Sequence, residues 1–222
     1  MSFFWKIHDA VNMFLLRKRS ILHIVLLVLA HSPWLIFLIP DHLQWQKDFG
    51  SLAFNFLLTL LFLSPLATIV ALPLLRTLML YRGEMGLVMG YTALIHMMLY
   101  VERLVEFGMF PPTELPLFVQ VGFLALLCTI PLLITSNRFS QRTMGIWWKR
   151  LHRLVYPLVA LACLHVAFIP LIRGRGVDWQ PLIILALYSS LVVYAWGVKR
   201  GTWPQIRLPR GVVPSVAPSQ SV

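Results

Sequence analysis

Two histidines lie deep inside separate apolar runs of this 222-residue chain, His96 in one and His165 in another. An imidazole at bilayer depth is costly unless its ring nitrogens find partners, so such a residue marks a functional site by default. Two imidazoles on different helices can fill both axial positions of one haem iron, for which histidine is a standard ligand. Counted from Met85 and from Leu154, where their runs begin, each histidine stands 11 residues in. That is about 16 Å along a helix rising 1.5 Å per residue. Equal depth on two helices running in the same direction is what a bis-imidazole site requires. The plain alternative is two unrelated histidines, each bonded to a carbonyl or hydroxyl across the bundle.

The remaining histidines separate by position. His152 stands 13 residues before His165 on the same run. That is roughly 20 Å along the axis and about 140° around it, so the two cannot share an iron. His152 suits either a second centre at the inner edge or a place among Arg150 and Arg153 facing lipid phosphates. Fourteen positions before His96 the chain has Arg82, so a second centre lacks an obvious opposing imidazole. His23 and His31 fall near the cytoplasmic end and the middle of the first apolar run, and packing or hydrogen bonding is expected of His31. His8 and His42 lie outside the runs and are expected to be solvated. Thr92, one turn before His96, either lines the same pocket or bonds its own helix backbone.

The elements that must carry these residues follow from composition. The chain is 59% hydrophobic and only 12% charged, with a mean hydropathy of +0.77; soluble domains carry about 25% charged residues. Six apolar runs are legible, at 21–39, 52–72, 85–100, 115–134, 154–172 and 179–198. A bilayer-spanning helix takes about 20 residues, and the third run needs its flanks to about Val105 to reach that length. The expected fold is therefore an all-α membrane protein, a six-transmembrane-helix bundle. Its expected organisation is an N-terminal segment over 1–20, the membrane domain over 21–199 and a proline-bearing, unstructured tail over 200–222.

The formal charge of +11 is topological rather than a sign of nucleic acid. With the N-terminus inside and the spans alternating, the outer segments hold only Lys47, Arg103, Arg173 and Arg175, and the other Lys and Arg residues are inside. That asymmetry follows the positive-inside rule and places both termini in the cytoplasm. Val28-Leu29-Ala30 imitates a signal-peptide cleavage site, but the apolar run continues through Ile39, too far for such a segment. Cys128 and Cys163 fall within runs and in no CxxC arrangement, so they read as buried apolar residues. No stretch is suited to a soluble nicotinamide or large flavin domain, so a redox role requires an external donor and acceptor.

Several motifs surround the histidines: Leu63-Ser64-Pro65-Leu66-Ala67, Met85-Gly86-Leu87, and Thr135-Ser136 followed by Gln141-Arg142, Gly145, Trp148, Leu151-His152 and Val155-Tyr156. With the His96 and His165 contexts, these resemble the MsrQ (YedZ) family over roughly residues 50–195. That family comprises haem-binding inner-membrane subunits of the bacterial MsrPQ methionine sulfoxide reductase system, within the ferric-reductase-like transmembrane superfamily. The resemblance implies one or two b-type haems held by His96, His165 and His152, together with FMN. It implies electrons drawn from the quinone pool or a cytoplasmic flavin reductase. They would pass to a periplasmic molybdenum-cofactor partner that repairs oxidised methionines of envelope proteins. It also implies residence in the bacterial inner membrane. The chain departs from the family at Arg82-Gly83-Glu84, where relatives often carry paired arginines; the acid weakens any flavin-phosphate contact there.

The basic stretch 138–153, with Trp147 and Trp148, suits a flavin phosphate or a cytoplasmic donor, or simply an inner loop with interfacial tryptophans. Glu102, Glu106 and Glu114 make the connection after the third run acidic, which suits a periplasmic partner or an outer loop poor in basic residues. Two rivals stand beside this reading. One is a ferric-reductase-like or quinone-linked cytochrome b serving another acceptor. The other is a cofactor-free transporter or assembly factor, against which the spans show no paired broken helices of the coupled-transport kind.

Overall fold

The computed structural model describes residues 2–108 and 115–207. Six helical stretches are long and apolar enough to cross a membrane: Arg19–Leu38, His42–Ile69, Pro73–Glu106, Leu117–Ile134, Ile146–Leu171 and Gln180–Lys199. The all-α six-span bundle read from composition is the observed architecture. Much of its outer surface is apolar, with Leu124, Leu127, Ile183 and Leu187 each at least half exposed. A soluble monomer does not present apolar surface on that scale, whereas a bilayer requires it.

The spans are longer than the apolar runs. The second begins with a 3-10 turn at His42–Trp45 and continues as α3, Gln46–Ile69. The polar first turn Gln46-Lys47-Asp48 hides this start from hydropathy, yet a helix is free to extend beyond the hydrocarbon. The third combines α4 (Pro73–Leu78), a 3-10 turn and α5 (Arg82–Glu106). The fourth is α6, Leu117–Ile134, and the sixth is α10, Gln180–Lys199. The fifth starts at α8 (Ile146–Leu151), passes through a 3-10 turn and runs on as α9 (Val155–Phe168). The connection expected over 135–153 is therefore largely helical. It contains α7 (Arg138–Met144), capped by the Asn137 side chain accepting from the Ser140 N–H. Gly145, at φ 53°, makes the corner into α8 in a region that a side chain disfavours.

The first span is α2 (Arg19–His31) followed by a 3-10 segment, Ser32–Leu38. Pro33 explains the change, because it has no N–H to continue the α-helical ladder. Helix α1 (Ser2–Arg17) docks on α4 through one face. The His8 ring accepts from the Leu74 N–H at 3.3 Å and donates to Asp9 at 2.8 Å. Thr77 donates to Asn12, and Tyr81 donates to the Leu15 carbonyl. His8 is thus buried rather than solvated, since it satisfies an N–H in the first turn of α4, where the helix itself supplies no acceptor.

The tail expected from residue 200 begins instead with a packed segment. Ile206 pairs with Val70 in a parallel bridge, and Gln205 donates to the Thr68 carbonyl. Trp203 stacks on Tyr194. Residues 208–222 lie outside the described residues, as does Glu114.

Two helix pairs dominate the packing, α3 with α5 and α6 with α9. An interior cluster built from Leu57, Leu61, Met89, Leu132, Val159 and Tyr188 joins them. A second cluster of Ile36, Ile95 and Leu99 ties the first span to α5. This arrangement brings the faces of α5 and α9 that carry the two deep histidines toward one another.

Candidate functional site

His96 and His165 come together between α5 and α9. Their ring centroids are 6.4 Å apart and the ring planes are 79° from parallel. Two imidazole–metal bonds of about 2.0–2.1 Å, with the ring radius added at each end, separate two ring centres by roughly 6–6.5 Å. The observed separation thus equals that of two imidazoles bound to one metal ion.

The hydrogen bonds decide which nitrogen is available. Nδ1 of His96 donates to the Gln46 carbonyl at 2.7 Å, and Nδ1 of His165 donates to the Phe118 carbonyl at 2.6 Å. A carbonyl only accepts, so both Nδ1 atoms carry the proton and each Nε2 keeps a lone pair. Among the described residues neither Nε2 has a hydrogen-bond partner. Metal-bound histidines typically donate the other ring N–H to a carbonyl or carboxylate, which fixes the tautomer and raises ligand basicity. The two imidazoles, held half-buried in an apolar bundle, have the donor set, spacing and tautomer that a bis-histidine haem requires. Among the described residues no group of three or more His, Cys, Asp or Glu side chains is placed to hold a bare metal ion. Phe118, whose carbonyl holds His165, also sets its own ring 5.8 Å from that imidazole.

His152 is placed apart from this pair. Its Nε2 lies 3.1 Å from Thr135 Oγ1, and its ring stacks on Trp148 at 3.9 Å between centroids. The Thr135 hydroxyl donates to the Pro131 carbonyl at 2.7 Å, so the short contact is His152 Nε2–H donating to Oγ1. Trp148 donates to the Thr135 carbonyl, which completes a small cluster at the start of the fifth span. None of the described histidines makes ring contact with His152. Thr92 is fully buried and bonds the Val88 and Met89 carbonyls of its own helix, so its hydroxyl is not offered to the site.

Two further histidines pair with acids on α5, which sequence reading missed. His23 donates from Nδ1 to Glu84 Oε1 while its Nε2 accepts from Arg19, which fixes the tautomer. His42 Nε2 donates to Glu102 at 2.9 Å, with Nδ1 on the Ile39 carbonyl at 3.0 Å. The acid at position 84 thus has a local partner on the first span, and His42 is engaged rather than free in solvent. His31 bonds the Leu27 carbonyl and touches the Tyr91 ring, a packing role as expected. The carbonyls of Gln46 and Phe118 were not legible either, because a backbone atom has no residue type to read.

The comparisons with known proteins agree with this architecture. The family model described as the ferric reductase like transmembrane component matches residues 49–163. The chain is 31% identical over 160 residues to the protein-methionine-sulfoxide reductase heme-binding subunit MsrQ of Rhizobium meliloti, covering 71% of this chain and 69% of the relative. It is 30% identical over 148 residues to the subunit of the same name from Brucella ovis, covering 65% of this chain and 64% of the relative. The chain thus spans about two thirds of the length of these relatives. No solved structure matches it. The chain belongs to the ferric-reductase-like transmembrane family and, within it, to the MsrQ group of haem-binding subunits.

Proposed function

We propose that this protein is a haem b electron-transfer subunit in which His96 and His165 are the two axial ligands. The observation that carries the reading is the pair of imidazoles 6.4 Å apart, each with its Nδ1 proton held by a carbonyl. When bound, a haem supplies a one-electron couple, and the protein's part is to hold, orient and tune it. Gln46 and Phe118 raise the basicity of the ligands through their carbonyls. The surrounding aliphatic side chains exclude water and lower the local dielectric, which with axial ligand identity sets the potential.

The donor in this reading is the quinone pool or a cytoplasmic flavin reductase, and the acceptor is a periplasmic molybdenum-cofactor methionine sulfoxide reductase. Support for such a partner comes from the relatives, which are named as subunits of a methionine sulfoxide reductase. Both termini face the cytoplasm of a bacterium and the bundle lies in its inner membrane, as the distribution of basic residues suggests. His152 is proposed as the ligand of a second haem on the family resemblance, and that role requires it to leave Thr135. FMN is proposed on the same resemblance, with the basic stretch 138–153 offering countercharge for its phosphate on the inner side. A second reading, in which electrons go to another acceptor such as a ferric chelate, is supported by the description of the matched family as ferric reductase like.

The test is reoxidation of the reduced protein. Purified protein reduced by a quinol, or by a flavin reductase with its nicotinamide, is expected to show a b-type absorption band. That band should bleach when the molybdenum reductase and a methionine sulfoxide peptide are added together. Bleaching by ferric chelate alone would favour the second reading. A correctly folded protein that binds no haem would overturn both.

A further inference from the structure

Each of the two facing imidazoles is seated against a glycine of the neighbouring helix. A β-carbon at Gly50 of α3 would lie 2.8 Å from both Nδ1 and Cε1 of His96. A β-carbon at Gly122 of α6 would lie 2.6 Å from Nδ1 and 2.8 Å from Cε1 of His165. Carbon atoms at rest sit about 3.5–4.0 Å apart, so an alanine at either position cannot coexist with the ring where it stands.

The obstructed atom is the same in both cases and it is the one that matters. Nδ1 donates to Gln46 O on one side and to Phe118 O on the other. Gly50 and Gly122 each stand four residues after those carbonyls, so helix geometry directs each glycine N–H to the same oxygen. The imidazole therefore takes the second lone pair of a carbonyl that its helix already uses. It reaches that oxygen by passing over a Cα with no side chain. The device occurs twice, on α3 with α5 and on α6 with α9, in stretches that show no sequence repeat.

We propose that Gly50 and Gly122 are positioning residues that set the orientation and basicity of His96 and His165. Through these ligands they set the retention and reduction potential of the haem. The proposal rests on the haem reading of the preceding subsection. It is distinct from general helix packing, for which the same helices provide controls. Gly86 on α5 has open space where a β-carbon would stand. Gly90 on α5 would press on the Leu133 side chain of α6, 2.7 Å from its Cδ1, without touching either histidine.

Full-length wild type, Gly50→Ala, Gly122→Ala, Gly86→Ala and Gly90→Ala are purified with haem supplied, and haem retention and midpoint potential are measured for each. Gly50→Ala and Gly122→Ala should retain haem about 10- to 100-fold less tightly, the loss typical of removing a partner of a metal-bound histidine. Their remaining haem should titrate at a more positive potential, because a less basic imidazole stabilises the ferric state less. Gly86→Ala and Gly90→Ala should match the wild type in both readouts. Unchanged retention and potential in the two ligand-facing variants would overturn the proposal, as would an equal shift in Gly90→Ala. Loss of both ligand-facing variants from the membrane while Gly90→Ala accumulates would make these glycines determinants of folding, and would overturn it too. A wild type that binds no haem removes the reading beneath the proposal and the proposal with it. A haem-loaded wild type matched by its glycine variants overturns the positioning role alone.

Discussion

The imidazole planes of His96 and His165 stand 79° apart, close to perpendicular. Each plane is fixed from behind by a carbonyl on a different helix, Gln46 on α3 and Phe118 on α6. A metal held between rings fixed this way would take the angle of its ligand planes from the bundle.

The oxidised protein should accordingly give the strongly anisotropic low-spin EPR signal of perpendicular axial imidazoles. A rhombic signal of the kind given by parallel ligand planes would show that the rings turn on binding, and that the carbonyls do not hold them.

His152 should behave differently from the facing pair. Its Nε2 is engaged by Thr135 and its ring by Trp148. His152→Ala is expected to keep the absorption band of the His96–His165 centre. In a protein purified with two haems it should lose one of them. Pyridine haemochrome stoichiometry of wild type and variant reads this directly, and loss of all haem in His152→Ala would contradict the placement.

Helix α5 is tied to the first span by His23 with Glu84 and to the start of the second span by His42 with Glu102. The first pair is largely shielded, each side chain 18% exposed, whereas Glu102 is 43% exposed. Glu84→Gln replaces a charged acceptor by a neutral one in this shielded hydrogen bond and should therefore destabilise the protein by about 1 kcal/mol. Glu102→Gln should have a smaller effect, diminished by salt. Thermal unfolding of the two variants in detergent at low and high ionic strength checks the order, and a larger loss in Glu102→Gln would contradict it.

Hydropathy made the six spans legible, along with the shared depth of His96 and His165, because a bilayer imposes length and polarity on every crossing segment. It did not show where helices extend into polar sequence. Gln46, Lys47 and Asp48 read as a connection yet form the first turn of α3, and that turn supplies the carbonyl holding His96. Gly50 and Gly122 were visible as residues, but their meaning needed the neighbouring helix. Small residues in spans mark close approach without saying what approaches. The pairing of Glu84 with His23 joins residues 61 positions apart and carries no local signal, so the acid read only as a change of charge. His8 was expected to be solvated because it lies outside the apolar runs, and only the docking of α1 on α4 buries it.

The most direct measurement is the haem-to-protein ratio of the purified wild type beside His96→Ala and His165→Ala, with folding of each verified independently. Bis-histidine ligation predicts a b-type Soret band in the wild type, shifted by dithionite, and loss of the low-spin centre in both variants. A folded wild type without haem, or a full complement of low-spin haem in either alanine variant, would contradict it.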